Sequence, residues 1–129
     1  MTQPQSSYAQ AFDLLATLVA VVRTDGIVVF ANAALEDVMG VSRRNIEGAA
    51  MASYFTEVQS FENALQGAQS NAFATMRYDA HLRRPSQDPM PVHVIVAPTD
   101  IQGEVLVELL PLELQARQGR EERLIDQAQ

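Results

Sequence analysis

The stretch from Leu18 to Gly40, LVAVVRTDGIVVFANAALEDVMG, constrains the fold of this chain more than any other. Two apolar runs, Leu18 to Val22 and Ile27 to Phe30, flank Thr24, Asp25 and Gly26. Glycine reaches the positive φ that a tight reversal requires, so the pattern predicts a β-hairpin. Asn32 follows the second run and precedes AALEDVM, where its side chain can accept from the first free N–H groups of a new helix. Gly40 suits the left-handed residue that ends one. The hairpin is apolar on both faces, with Leu18, Ala20 and Val22 on one side and Val19 and Val21 on the other. A sheet buried on one face only alternates with polar residues, so a second layer must cover these strands. The nearest candidate is a short helix capped by Ser7, on which Tyr8, Ala11, Phe12 and Leu15 share one stripe, supplied by the same chain or by a partner.

Beyond Gly40, Ser42 is placed to cap a helical turn over Arg43, Arg44, Asn45 and Ile46 that Gly48 closes. Paired arginines invite a phosphate-binding reading, but in a chain of net charge -7 a solvated face is the expectation. Thr56 and Gln59 have capping-box spacing ahead of a helix with Val58, Phe61, Leu65 and Ala68 on its apolar face. From Ala72 the period changes to two. Ala72, Ala74, Met76, Tyr78, Ala80 and Leu82 face one way, and Phe73, Thr75, Arg77, Asp79, His81 and Arg83 the other. Arg84 to Pro91, with three prolines, reads as a wide turn before strands over Val92 to Ala97 and Val105 to Leu110, which are joined by a turn at Asp100 to Gly103. Three such strands in succession give an antiparallel meander.

A length of 129 residues suits one domain. The expected divisions are a loose N-terminus over 1–7, a domain over 8–111 that begins with a helix over 8–16, and a charged, helix-favouring segment over 112–129. In that last segment Leu114, Arg117, Glu121, Leu124 and Ala128 fall near heptad spacing, but the two charged residues among them make a weak coiled-coil seam. Sixteen acidic residues against nine basic ones disfavour nucleic acid or an anionic membrane as partner. No run approaches the roughly 18 apolar residues of a membrane span, and no signal-peptide pattern is present, so a cytoplasmic location is expected. Cysteine is absent, which removes disulfides, thiolate nucleophiles and ligands, and cysteinyl-flavin photochemistry. His81 and His93 fall on successive strands, but two histidines without a third ligand make a poor metal site. With no Gly-x-Ser-x-Gly motif, no catalytic, metal or cofactor residue is assigned, and no enzymatic activity is expected of this chain.

The hairpin turn at Asp25-Gly26, Asn32 opening the next helix, Gly40 after it, RRNIEG ending at Gly48, one longer helix and a meander together resemble a PAS domain. The likeness spans residues 8 to 111. It implies an α+β fold: a five-stranded antiparallel sheet with short helices on one face, plus flanking N- and C-terminal helices. A pocket between sheet and helices would be lined by Tyr54, Phe61, Leu65, Met76 and Tyr78, a set that equally describes a filled core. No histidine lies between Glu57 and Ser70, where a heme-binding PAS domain would offer its axial ligand, so no cofactor is expected.

More narrowly, VVRTDGIVVFANAALEDVMGVSRRNIEG, the proline-bearing turn before PVHV, and VLVELLPLELQARQGREERL are similar to the N-terminal sensory domain of nitrogen-regulation sensor histidine kinases of the NtrB family. That resemblance implies a homodimer, here through Tyr8, Ala11, Phe12, Leu15, Val19 and Val21, and a signal-output helix bearing Leu114, Arg117, Glu121 and Leu124. It implies an NtrC-type response regulator and a PII-type signal protein as partners of a full-length kinase. The kinase portions themselves are not in this sequence, and neither His81 nor His93 is followed by Glu. Two rival readings stand beside it: a sensor that binds a small molecule in the pocket, and a PAS module coupled to another output such as a transcription activator.

Overall fold

A computed structural model describes residues 11–13, 15–70 and 74–112. The expected loose N-terminus over 1–7, Tyr8, and the output residues Leu114, Arg117, Glu121 and Leu124 lie outside the described residues.

Strands β1 (Leu18–Arg23) and β2 (Val28–Ala31) form the expected hairpin. Its turn is held from within: Gly26 adopts φ 92°, the Asp25 carboxylate accepts the Ile27 N–H at 3.1 Å, and Arg23 pairs with Asp25. Helix α1 (Ala33–Met39) follows at once, capped by Asn32 and terminated by Gly40 at φ 72°. A single helical turn, α2 (Arg43–Ile46), and a 3-10 turn (Met51–Tyr54) lead to the longest helix, α3 (Val58–Ser70). The meander is β3 (Met76–Arg84), β4 (Gln87–Pro98) and β5 (Glu104–Pro111).

All five strands form one sheet in the order β2-β1-β5-β4-β3, antiparallel at every pairing. The α+β, PAS-like architecture expected from the sequence is therefore the one observed. Its core lies on one face of the sheet. Ala20 and Val22 of β1, Leu82 of β3, Val92, Val94 and Val96 of β4, and Val107 and Leu109 of β5 pack there with Leu35, Met39, Ile46, Met51 and Phe61 of the helical layer. The Phe55 and Phe61 rings stack in its centre with centroids 5.2 Å apart. Burying each such ring contributes on the order of 2–3 kcal/mol.

Four local expectations need correction. Gln59 donates its amide to Asn63 at 3.0 Å rather than returning to Thr56, so no capping box forms. Val58 is 42% exposed, and the buried face of α3 is instead Phe61, Ala64, Leu65 and Ala68. Ser42 makes no side-chain cap. The Glu36 carboxylate takes the Arg43 N–H at 2.6 Å in its place. The wide turn over Arg84 to Pro91 is a tight reversal at Pro85-Ser86, with Gln87 already in β4. Pro89 and Pro91 are tolerated there because β4 runs on past the end of β5, whose last pair is Val92 with Pro111, and has only β3 beside it.

Candidate functional site

The most elaborate polar construction in the described residues stands where the N-terminal segment meets the sheet. Asn32 is fully buried, and every hydrogen-bonding capacity of its side chain is used. Oδ1 accepts from the Val19 and Leu35 N–H groups, each at 3.0 Å, while Nδ2 donates to the carbonyls of Phe12 at 3.0 Å and Thr17 at 2.8 Å. The residue read from sequence as a helix cap therefore ties the N-terminal segment, the start of β1 and α1 together. Beside it, Asp13 accepts the Ala33 N–H at 3.0 Å and pairs with Arg43 at 3.0 Å. The Arg43 guanidinium also lies over the Phe30 ring, 5.6 Å from its centroid. Arg43 is thus not part of a solvated face, whereas Arg44 is exposed.

This joint holds Phe12 against the outer face of the sheet, with its ring centroid 6.2 Å from that of Phe30. Val19 and Val21 are each 2% exposed, so the second layer that the two-sided hairpin required is present. Of the residues expected at a dimer interface, Ala11 and Leu15 remain exposed and Phe12 is half-buried, while Val19 and Val21 lie beneath. A groove of about 240 Å³ opens next to them, lined by Phe12, Val21, Pro98, Ile101, Leu106 and the acidic rim residue Glu104. Ile101, which lines the groove, and Leu15 are two of the three large apolar side chains that stand exposed among the described residues.

The expected pocket residues do not share one cavity. Phe61 and Leu65 are core residues whose edges line a cleft of about 280 Å³ beside the Thr24–Gly26 turn. Met76 and Tyr78 line a separate cleft of about 350 Å³, together with Ser60, Asn63 and Asp79. Tyr54 lines neither cleft; its hydroxyl lies 3.5 Å from the Asn45 carbonyl.

At the far edge of the sheet, β3 and β4 bring His81 and His93 onto neighbouring strands, but each meets its own carboxylate. His81 Nδ1 lies 2.6 Å from Glu57 and His93 Nδ1 lies 2.8 Å from Asp79. Among the described residues, no cluster of three or more His, Cys, Asp or Glu residues could hold a metal ion. Partial burial pushes the Glu57 carboxyl up, but the bonds it accepts from the His81 ring and backbone N–H outweigh this and hold it below the ordinary carboxylate range. Tyr78 is the feature that sequence reasoning missed. Its hydroxyl is buried with no hydrogen-bond partner among the described residues, and burial, assisted by the Glu57 charge, pushes its pKa well above that of a free tyrosine. Period-two alternation shows which way Tyr78 points but carries no signal about what meets its hydroxyl.

No helix among the described residues is long and apolar enough to cross a membrane. No curated protein matches the chain. Solved structures do. The PAS domain of an HTR-like protein from Haloarcula marismortui is 14% identical with a TM-score of 0.72, over 83% of this chain and 90% of that one. A domain of a sensory box sensor histidine kinase/response regulator from Geobacter sulfurreducens is 14% identical with a TM-score of 0.70, over 82% and 92%. The PAS domain of nitrogen regulation protein NR(II) from Vibrio parahaemolyticus is 16% identical with a TM-score of 0.64, over 85% and 99%. At these identities the likeness is one of fold. A PAS domain family model matches residues 16–110, from just before β1 to the end of β5, and with the sheet order and the Asn32 joint already described, the chain belongs to the PAS domain family.

Proposed function

We propose that this chain is the sensory and dimerising PAS domain of a cytoplasmic two-component histidine kinase of the nitrogen-regulation, NtrB, type. It joins a second copy through the outer sheet face and relays a conformational bias through the segment after Leu112 to a kinase core. The response regulator and PII-type protein of such a system would act on the full-length parent. The observation that carries the reading is the apolar outer surface around Phe12. Phe12, Val21, Ile101 and Leu106 line an apolar groove on that face, and Ala11 and Leu15, close to Phe12 in sequence, are exposed, so that one apolar patch can serve both copies in a two-fold contact. The inner face is occupied by the protein's own side chains, which favours relay over ligand capture. The likeness to the NR(II) domain supports the same reading at the level of fold.

A native mass spectrum of the purified chain is the test. A dimer without added mass is expected, and replacing Phe12 with Glu should lower self-association at least tenfold by placing a charge in an apolar contact. An extra mass that disappears on denaturation would replace this reading with small-molecule sensing. Unchanged association of the Phe12→Glu chain would remove this face as the interface.

A further inference from the structure

We infer that Asp13 and Arg43 form a latch through which the position of the N-terminal segment sets how α2 packs on the sheet. One carboxylate serves two elements. Asp13 Oδ1 accepts the Ala33 N–H at the start of α1 and an Arg43 Nη2–H, both at 3.0 Å, and Oδ2 accepts an Arg43 Nη1–H at 3.2 Å. Arg43 is the first residue of α2, and its guanidinium lies over Phe30, whose ring in turn meets Phe12. The contacts close a circuit that runs from the N-terminal segment to α1, to α2, to β2 and back to the segment. Asn32 does not duplicate it, because its four side-chain bonds reach Phe12, Thr17, Val19 and Leu35 but nothing in α2.

The pair is built to open. The Arg43 and Asp13 side chains are 33% and 34% exposed, and an ion pair that wet is weak enough to break without unfolding the core beneath it. Once it breaks, the start of α2 is held by the Arg43 N–H to Glu36 and by buried Ile46, while the backbone bonds of Gly48 and Ala49 to Val28 anchor only its far end. Displacement of residues 12 and 13 is thereby felt at α2, and displacement of α2 is felt equally at residues 12 and 13, since coupling between two sites is reciprocal. The latch works for any partner or neighbouring segment that pulls on Phe12, so it stands independently of the dimer reading.

Residue-resolved amide hydrogen exchange tests it. Asp13→Asn keeps an oxygen able to cap Ala33 but removes the charge; Arg43→Gln leaves Asp13 untouched. Asp13→Asn should speed exchange at the Glu47 amide, which bonds to the Arg43 carbonyl, by about two- to fivefold. Arg43→Gln should do the same at the Ala33 amide, although that amide's own acceptor remains. In the parent chain, about 1 M salt should reproduce both effects by screening the pair, with the Val94 amide in β4 unchanged throughout. If Arg43→Gln leaves Ala33 unchanged, or Asp13→Asn leaves Glu47 unchanged, the two elements are not coupled and the latch is refuted. Should either variant fail to fold, the salt series on the parent chain decides alone, and insensitivity at both amides refutes the proposal.

Discussion

The two ends of the sheet treat buried polar groups in opposite ways. At the β1/β2 end, Asn32 is sealed from water and makes four side-chain bonds, to the N-terminal segment, the start of β1 and helix α1. At the β3 end, the Tyr78 hydroxyl is equally sealed and makes none to the described residues. A satisfied buried amide fixes the geometry of everything it touches, whereas an orphaned hydroxyl forfeits its hydration and receives nothing in exchange. The first end is therefore the fixed frame of the domain and the second its soft margin. The histidine–carboxylate pairs fit this picture, since they lie on the solvent side of β3 and β4 and are wet.

The largest effect that could break the contrast is at Asn32. Asn32→Asp keeps the acceptor for Val19 and Leu35 but turns a carboxylate oxygen toward the Phe12 and Thr17 carbonyls and buries a charge. Urea denaturation should show a loss of about 3–5 kcal/mol. A loss under about 1 kcal/mol would mean that the joint opens to water and is no frame.

Tyr78→Phe should move in the other direction. Removing a hydroxyl without a partner is expected to leave the urea midpoint unchanged or to raise stability by up to about 1 kcal/mol. A clear destabilisation would reveal a partner for the hydroxyl in solution and erase the difference between the two ends.

The smallest effect concerns pH. The Glu57 carboxyl is held below its ordinary value in the folded state, so in the window just below about pH 4.5 the unfolded chain binds more protons than the folded one. Stability from this group is full above that window and is lost as pH falls through the folded-state value. Glu57→Gln should therefore lower stability most above about pH 5, where the charged carboxylate contributes fully, and flatten the acid limb so that the two curves converge at low pH. A parallel shift of the whole curve would show that Glu57 acts through packing instead of charge.

The frame was far more legible in the sequence than the margin, for a physical reason. Asn32 sits at a helix start, a local position with a strong residue preference, and Gly26 and Gly40 mark backbone conformations that few other residues adopt, so the hairpin and α1 could be read within a few residues. The further partners of Asn32, and the Asp13–Arg43 pair separated by 30 residues, are tertiary and leave no local trace. The same limit made Arg43 look like a solvated arginine. At the β3 end, proline content signalled a wide turn, but the pairing of β4 with β3 beyond the end of β5 overrode it. Four of the five proposed pocket residues are parted by α3 into two clefts and Tyr54 lines neither, a division that depends on where a helix lies and not on what its residues are.

The sheet order also fixes how the domain bears load. Leu18 at the start of β1 lies opposite Leu109 near the end of β5, so the chain comes into the sheet and departs from it at the same end of two adjacent antiparallel strands. Tension between the flanking segments would peel that pair apart one hydrogen bond at a time, as a zipper opens, instead of shearing all of its bonds together. Once the Asp13 and Asn32 contacts on the N-terminal side have let go, the sheet yields first between β1 and β5, so that a pull on what lies to either side is felt at the centre of the sheet.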